Sequence, residues 1–456
     1  MGRLAPIALM AWLTGCVDPV VGIPLDTLTD EEVALAHELA PPELPGPPAD
    51  PSNAWADHPD AARLGQRLFF DPSFSGALLS ADNDGGPMTL GSRGETGRVS
   101  CAGCHVPTDG FVDTRSMHQQ ISLASDWVLR RTPTLLDVAQ ARLFMWDGRR
   151  DALYNQPFGA IESAAEMNSS RLFVAQRMFA SYRADYEALF GTMPPLDDVA
   201  RFGSLDAQTT GCRGDGADQV TECDGLPGDE ASYDALTEED RREVTRVVVG
   251  FGKAIGAYER LLSCGPGRFD AWVHGDAEAL DETEILGFTL FAGRAGCVRC
   301  HGGPFFSDFA FHNVGLSPER VATVFIDAGD VGAAEGIRGA QDDALNVRGE
   351  FSDGDDGRLP DAIEPSLLGA FRTPSLRCAA SRPSFMHTGQ LASLEDVVRF
   401  FDRGGDRVGY PGDSELAGDD GRPTPLGLTD LEIAALVAFL GTLEGPGPDP
   451  ALLTAP

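Results

Sequence analysis

Two copies of the pattern Cys-x-x-Cys-His constrain this chain more than any other feature of its sequence. The copies are Cys101-Ala102-Gly103-Cys104-His105 and Cys297-Val298-Arg299-Cys300-His301. Two thiols at this spacing can bond to the two vinyl groups at one edge of a porphyrin, and the adjacent imidazole then lies under the iron. A single Cys-x-x-Cys also suits a redox dithiol or half of a zinc site. Because both copies end in His, the sequence predicts two covalently bound c-type haems, with His105 and His301 as proximal iron ligands.

Helical patterns surround both motifs, and little strand pattern lies between them. Apolar spacing predicts helices over 61–70, 239–262, 281–291 and 428–443. Asp281 with Glu284, and Thr429 with Glu432, form capping boxes at the starts of two of these helices. We therefore expect an all-α fold made of two cytochrome c-like haem domains joined in one chain, with Gly/Asp-rich surface insertions.

The first residues have the character of an export signal. One Arg precedes a short apolar run that ends in Leu13-Thr14-Gly15-Cys16, and the run is too short to span a bilayer. This ending resembles the lipobox of bacterial lipoproteins, in which the Cys becomes acylated. An ordinary signal peptide with a nearby Cys is the alternative. We expect a protein of the bacterial periplasm that is lipid-anchored to a membrane through Cys16.

These features divide the chain into consecutive predicted parts. They are a signal peptide of lipoprotein type (1–15), a Pro-rich tether (16–55), an N-terminal haem domain (56–265) with an insertion (194–236), a C-terminal haem domain (266–446) with an insertion (327–363), and a tail (447–456).

The net charge limits the classes of binding partner, and the remaining cysteines limit the possible disulfides. The formal net charge of -35 argues against nucleic acid or anionic lipid as a partner. It favours a basic partner protein or simply a strongly solvated surface. In an exported chain disulfides persist, and Cys212 and Cys223 in one loop are expected to pair with each other. Cys264 and Cys378 remain, and the sequence leaves open whether they pair or stay free.

The motifs in order resemble those of the di-haem cytochrome c peroxidase family, which includes the MauG-like di-haem oxidases. The similarity covers roughly residues 58–445. Besides the two haem motifs, it is carried by Leu64-Gly65-Gln66-Arg67-Leu68-Phe69-Phe70-Asp71-Pro72, Arg131-Thr132-Pro133-Thr134-Leu135, Met145-Trp146-Asp147-Gly148-Arg149, Glu166-Met167, Phe311-His312-Asn313-Val314-Gly315, Phe371-Arg372-Thr373-Pro374-Ser375-Leu376-Arg377 and Met386-His387-Thr388-Gly389.

The resemblance implies a role for each haem and for three side chains. The N-terminal haem would react with peroxide, the C-terminal haem would receive electrons from a donor, and Trp146 would relay electrons between them. Gln156 and Glu166 would lie in the distal pocket of the reactive haem. A carboxylate suits that pocket because cleavage of peroxide requires a proton to move from one oxygen to the other. The alternatives are a packing role for Trp146 and an exposed helix-start position for Glu166.

The chain also departs from the family pattern at the iron ligands. His118 is the only His in the loop after the first motif and matches a sixth ligand poorly, so we expect an open site on the first haem. Phe401 stands where the family places a Met or Tyr ligand to the second haem, fourteen residues after His387. Other side chains after His301 could substitute, with Met386 the natural choice: Met386, His312, His387 and Tyr410.

The family's calcium ion is doubtful in this chain. Its Asn and Thr ligand positions are occupied by Arg131 and Arg382, and two cationic side chains disfavour a bound cation.

The resemblance leaves three functions in competition. The leading one is reduction of hydrogen peroxide with electrons from a small cytochrome c or a cupredoxin, and a homodimer remains open. The second is a di-haem oxidase that acts on a protein or a small organic substrate. The third is an electron carrier without catalysis, which Gln156 and Glu166 argue against because a carrier needs no distal acid.

Overall fold

The computed structural model describes residues 24–115, 121–207, 233–318, 329–406, 409–419 and 421–456. Its helices are α1 (Asp30–Leu39), α2 (Pro59–Phe70), α3 (Cys101–Cys104), α4 (Gln156–Glu162), α5 (Arg171–Phe190), α6 (Val199–Phe202), α7 (Glu238–Glu259), α8 (Arg268–Val273), α9 (Glu282–Ala292), α10 (Ala333–Asp342), α11 (Leu394–Asp402) and α12 (Asp430–Gly441). Short 3-10 turns lie at Leu25–Thr27, Pro72–Phe74, Pro107–Asp109, Val138–Gln140, Cys297–Arg299, Pro365–Leu367 and Pro450–Leu452. The strands β1 (Phe311–His312) and β2 (Phe371–Arg372) form one short antiparallel pair.

The four predicted helices are confirmed, and the two predicted capping boxes form. The side chain of Asp281 accepts from the backbone N–H of Glu284 at the start of α9, and Glu284 returns the bond. Thr429 and Glu432 do the same at the start of α12. Each capping box satisfies donors that the first helical turn leaves without a partner.

The same helix crossing occurs once in each half of the chain. In the first half α2 crosses α7 at Gly65, where a Cβ atom would overlap the carbonyl oxygen of Ala254. In the second half α9 crosses α12 at Gly287, where a Cβ atom would overlap the carbonyl oxygen of Ala435. Each crossing lies within its own buried apolar cluster. The expected all-α fold with two cytochrome c-like halves is thus confirmed.

The segment 327–363 differs from the predicted surface insertion. Its helix α10 buries Ala333, Ile337 and Ala340 in the core of the first half. A Cβ atom at Gly336 would overlap the backbone oxygen of Asp147, so α10 lies directly against the chain beside Trp146. The abundance of Gly and Asp concealed an apolar stripe, since the three buried residues recur at helical spacing.

The predicted tether and tail also pack on the protein in the described residues. Within 24–55, α1 begins at a capping box of Thr29 and Glu32 and buries Leu39 in the core of the second half. In the tail, Leu452 and Leu453 pack on a cluster of the first half. Helix α1 therefore packs on the second half, and the tail packs on the first half.

One further prediction falls partly within the described residues, and three others fall outside them. The insertion 194–236 is described at its two ends, where Phe202 and Tyr233 are buried in the first core. The predicted pair Cys212 and Cys223, the signal peptide with Cys16, and His118 lie outside the described residues. Among those that are described, no helix combines the length and apolar character needed to cross a membrane.

The structure resolves the question of the other two cysteines. Cys264 and Cys378 form a disulfide with a Cα–Cα distance of 5.8 Å, across a separation of 114 residues. Cys264 follows α7 at the end of the first half, and Cys378 lies in the second half, so the bond links the two halves. The four motif cysteines form no disulfide.

Candidate active site

The first Cys-x-x-Cys-His motif is a single helical turn that ends at its histidine. The side chain of Ser100 caps α3 by accepting from the backbone N–H of Gly103. The Nδ1 atom of His105 lies 3.2 Å from the carbonyl oxygen of Phe111. Since a carbonyl can only accept, Nδ1 carries the proton, and Nε2 is left for a metal ion. Phe111 has a φ of 58°, an uncommon conformation that directs this carbonyl.

The second motif repeats this arrangement. A 3-10 turn over Cys297–Arg299 precedes His301, whose Nδ1 atom lies 2.8 Å from the carbonyl oxygen of Phe306. Phe306 also has a positive φ, of 50°. Burial lowers the pKa of both imidazoles, that of His105 to about 4, so both are neutral. With unpaired thiols beside each neutral imidazole, both motifs fit c-type haem.

One cavity of about 740 Å³ collects the residues predicted for the reactive haem. Its wall includes Cys101, Cys104, His105, Trp146, Gln156 and Glu166. These residues come from α3, from α4 and from the loops on either side of α4. A sequence span of 66 positions, from 101 to 166, is thus folded around one space.

The carboxyl group of Glu166 faces this cavity. Burial raises the pKa of Glu166, and the nearby cations Arg149 and Arg150 oppose that rise. The backbone of Glu166 is fixed, because its carbonyl oxygen accepts from the N–H of Ser125 at 3.0 Å. A raised pKa makes the carboxylate a stronger base, which suits a group that accepts a proton and returns it as a general acid or base.

Gln156 is the first residue of α4 and brings an amide group into the same cavity. Its Nε2 atom donates to the sulfur of Met145 at 3.6 Å. Met145 itself has a φ of 67° and directly precedes Trp146. The amide is therefore held at the cavity wall by a weak bond that a better acceptor can replace.

Trp146 lies where the two halves meet. Its indole N–H donates to the carbonyl oxygen of Arg131 at 2.7 Å, and its own carbonyl accepts from the N–H of Arg372 at 2.8 Å. On its other side the ring of His387, from the second half, lies 6.4 Å away between centroids. Trp146 is thus fixed both to the first-half loop at 131 and to strand β2 of the second half.

The two arginines at the family's calcium positions are both buried or partly buried. Arg131 donates through its backbone N–H to the carbonyl of His387 and through Nη2 to the carbonyl of Asp113. Arg382 donates to the carbonyls of Ser375 and Arg377, and burial lowers its pKa to about 10. The absence of calcium at these positions stays a prediction.

The candidate ligands of the second haem are not equivalent in the structure. Met386, Phe401 and Tyr410 belong to one apolar cluster of the second half. The ring of His387 stacks on Phe371 at 3.5 Å, and burial lowers the pKa of His387 to about 3.

His312 has no lone pair to offer iron. Its two ring nitrogens lie 2.9 Å from Asp308 Oδ2 and 2.8 Å from Glu415 Oε2. Side-chain hydrogen bonds to Asp308 first, then to Cys300 and Glu415, raise its pKa to about 11, which favours the cationic imidazole. A protonated imidazole donates from both nitrogens and cannot ligate a metal.

Residue-by-residue reading of the sequence missed several charged side chains of the cavity. Arg149, Arg150, Arg372 and Glu259 line it, although only the first two act on Glu166. A signal for Glu259 was present, because Glu259 follows Phe251 and Ile255 at the spacing of the buried face of α7.

Two such motifs in one helical chain define the class of di-haem c-type cytochromes. A family model for di-haem cytochrome c peroxidase matches residues 59–207. The methylamine utilization protein MauG of Methylorubrum extorquens is 28% identical over 440 residues, which cover 94% of this chain and 89% of the relative. Cytochrome-c peroxidase IdrP2 of Denitromonas iodatirespirans is 28% identical over 414 residues, which cover 88% of this chain and 86% of the relative.

Solved structures support the fold. The diheme peroxidase BthA from Burkholderia thailandensis matches with a TM-score of 0.58 and 22% identity, over 87% of this chain and 89% of BthA. The chain belongs to the family of di-haem cytochrome c peroxidases and MauG proteins, a family of haem oxidoreductases that implies two c-type haems.

Proposed function

We propose that this protein is a peroxidase that reduces hydrogen peroxide to water with electrons from a small redox protein. The observation that carries the proposal is the single cavity in which His105, Gln156 and Glu166 meet. Cys101, Cys104 and His105 would hold a haem there, and its iron would supply the binding site for peroxide and the redox chemistry of its reduction. The overall reaction consumes one hydrogen peroxide, two electrons and two protons, and it yields two waters.

The role of Glu166 is to move a proton within the bound peroxide. Its carboxylate accepts a proton from one peroxide oxygen and donates it to the other, which then leaves as water. The raised pKa of Glu166 supports this role, since the group must both bind and release a proton. The amide N–H of Gln156 donates a hydrogen bond to the peroxide in place of its weak bond to Met145.

The electrons enter through the second half of the chain. In this proposal residues 266–446 form the electron-transfer domain around His301, and residues 56–265 form the peroxidatic domain around His105. Trp146 relays electrons between them, a role that its hydrogen bonds to Arg131 and Arg372 support. The electron donor is a small cytochrome c or cupredoxin. The protein acts in a bacterial periplasm, and its attachment to a membrane by a lipid on Cys16 stays a prediction.

The test is peroxide turnover with a reduced small cytochrome as donor. Glu166→Gln should depress turnover by about 10²–10⁴-fold, the usual contribution of a general acid or base. The exposed Glu278 provides a matched control, and Glu278→Gln should leave turnover unchanged. Mass spectrometry of the denatured proteins should show two haems in all three. Turnover of Glu166→Gln within a few-fold of wild type would remove Glu166 from the mechanism.

The second candidate is an oxidase that uses the same cavity to oxidise a protein or a small organic substrate. Phe401 favours it, because a second haem without a Met ligand has a lower potential and accepts electrons less readily from high-potential donors. Peroxide-dependent consumption of an organic reductant, without turnover of any reduced cytochrome or cupredoxin, would select the oxidase.

A further inference from the structure

A second carboxyl group enters the cavity of the first haem motif, on the side of Cys101. Glu259 is the last residue of α7, and only 4% of its surface is exposed. It lines the same cavity as Cys101 and Glu166. The described residues offer its carboxylate no hydrogen bond or ion pair, although a buried ionised carboxylate ordinarily has one.

The fold prevents Glu259 from turning towards solvent. The crossing of α2 and α7 at Gly65 lies five residues before it and leaves no space between the backbones. On one side the hydroxyl of Tyr258 donates to the carbonyl of Leu452 at 2.6 Å. On the other, Arg260 pairs with Asp57 at 2.7 Å. Both neighbours of Glu259 are therefore anchored to other parts of the chain, and the carboxyl group stays in the cavity.

The charged groups around Glu259 do not neutralise it. The charge of Glu259 contributes to raising the pKa of Cys101 on α3 and that of Tyr258 on α7. Arg260 is already paired with Asp57, and Asp137, in the loop packed against the end of α7, accepts from Ser263. Across the cavity Arg149 and Arg150 act on Glu166. Burial alone raises the pKa of Glu259, to about 8.

We propose that Glu259 is a redox-linked proton site of the first haem. One proton enters from solvent and binds Glu259 when one electron enters the site, and this proton leaves when the electron leaves. The physical reason is that an electron removes one positive charge from the cavity, and in a medium of low dielectric this change favours the protonated carboxyl group. The inference rests on the haem proposed above and is independent of peroxide turnover.

The experiment combines infrared and potentiometric measurements on the full-length protein with both haems. Reduced-minus-oxidised infrared difference spectra should show a protonated carboxyl band that appears on reduction. Glu259→Gln should abolish this band, while Glu278→Gln and Glu166→Gln should retain it. In the wild type one of the two haem potentials should fall as pH rises, with a limiting slope of about 59 mV for each tenfold change in proton concentration. In Glu259→Gln that potential should be independent of pH over the same range.

A second variant keeps the proposal testable if the first loses haem. Glu259→Asp retains the carboxyl group and should keep the band and the slope, with a shifted midpoint pH. A wild-type protein without a carboxyl band and without a pH-dependent potential would overturn the proposal. A band and slope that persist in Glu259→Gln would do the same, because another group would then bind the proton. Glu166→Gln should lose peroxide turnover but keep the carboxyl band and the pH-dependent potential. The two proposals therefore fail separately.

Discussion

The guanidinium group of Arg149 sets how strongly Glu166 holds its proton. Burial raises the pKa of Glu166, and Arg149 is the first of the two cations that oppose the rise. Arg149 also pairs with Asp147 at 2.9 Å, which fixes its position at the cavity wall. The protonation of the proposed acid–base group therefore depends on a cation that the sequence alone did not assign to the site.

Removal of this cation should shift the pH profile of turnover in a defined direction. A group that accepts a proton must be ionised, so turnover falls as pH drops through the raised pKa of Glu166. Arg149→Gln should raise that pKa further and move the acid limb of the profile to higher pH. The exposed Arg142 is a matched control, and Arg142→Gln should leave the limb in place. An acid limb that does not move in Arg149→Gln would show that another group governs it.

The second haem provides a prediction about a single side chain. Met386 has a φ of 70° in a tight turn and packs with Phe401 and Tyr410 in an apolar cluster. We expect this packing to keep its sulfur from the iron, so the second haem should lack the near-infrared charge-transfer band of His–Met ligation. Magnetic circular dichroism of the ferric protein measures that band. Its presence in wild type and in the control Met88→Leu, with loss in Met386→Ala, would contradict the prediction.

At the residue scale the sequence was informative wherever chemistry dictates spacing. The positions of His105 and His301 follow from the reach of two thiols across a porphyrin edge, and the structure gives both the same Nδ1–carbonyl contact. Glu259 and Arg149 could not be assigned in this way. The spacing of α7 indicates that Glu259 is buried, but its place in the cavity, like that of Arg149, depends on how α7 and the loop before α4 pack.

Among the helices, α10 gives the sharpest test of close packing. It lies against the backbone of Asp147, which in turn pairs with Arg130 at 2.5 Å beside Trp146. Gly336 makes this approach, whereas a Cβ atom at Gly339, which is exposed at the edge of the cavity, would meet no protein atom within 4 Å.

Two alanine substitutions in α10 should therefore have opposite effects on stability. Gly336→Ala forces a Cβ atom into Asp147 and should lower the free energy of unfolding by about 1–3 kcal/mol, the usual cost of overpacking. Gly339→Ala should change it by less than about 1 kcal/mol, and in the stabilising direction, because Ala is the better helix former. Denaturant unfolding of both variants measures the difference. Equal midpoints would mean that α10 does not lie against Asp147.

At the scale of elements, helices with a capping box and a high apolar content were predictable, whereas an amphipathic helix in a Gly/Asp-rich stretch was not. α9 and α12 carry both a capping box and a high apolar content, and the structure forms them with the predicted capping boxes. α10 begins at Gly332 without a side-chain cap and lies within a Gly/Asp-rich stretch. α1 has a capping box, but its surroundings have the composition of a linker. In both cases composition outweighed a short stripe of small apolar residues.

Each half of the molecule packs against a segment that belongs to the other half of the sequence. α1 packs on the core of the second half, and the tail after Gly447 packs on the first. Between them the disulfide of Cys264 and Cys378 links the end of the first half to the second. These contacts join residues hundreds of positions apart, and nothing in local sequence indicates them. The arrangement means that each haem motif depends on a segment distant in the chain.

Deletion of the tail should therefore destabilise the first half, although the tail follows the second half in the sequence. Gln66 on α2 donates to the carbonyls of Ala451 and Thr454 at 2.7 and 2.9 Å, and Tyr258 on α7 donates to Leu452 at 2.6 Å. Three hydrogen bonds at about 0.5–1.5 kcal/mol each predict a loss of about 1.5–4.5 kcal/mol on removal of residues 448–456.

Thermal unfolding, followed by the absorption of each haem, checks where this loss falls. We expect a lower midpoint temperature of unfolding at the haem bound to Cys101 and Cys104. Mass spectrometry of proteolytic fragments identifies which haem this is. Deletion of only residues 455–456, which are exposed, should leave both midpoints unchanged. A lower midpoint for the second haem alone would mean that the tail supports its own half, and that the α2–α7 crossing does not need it. The expected result follows because Gln66 and Tyr258, on the two helices of that crossing, both donate to the tail.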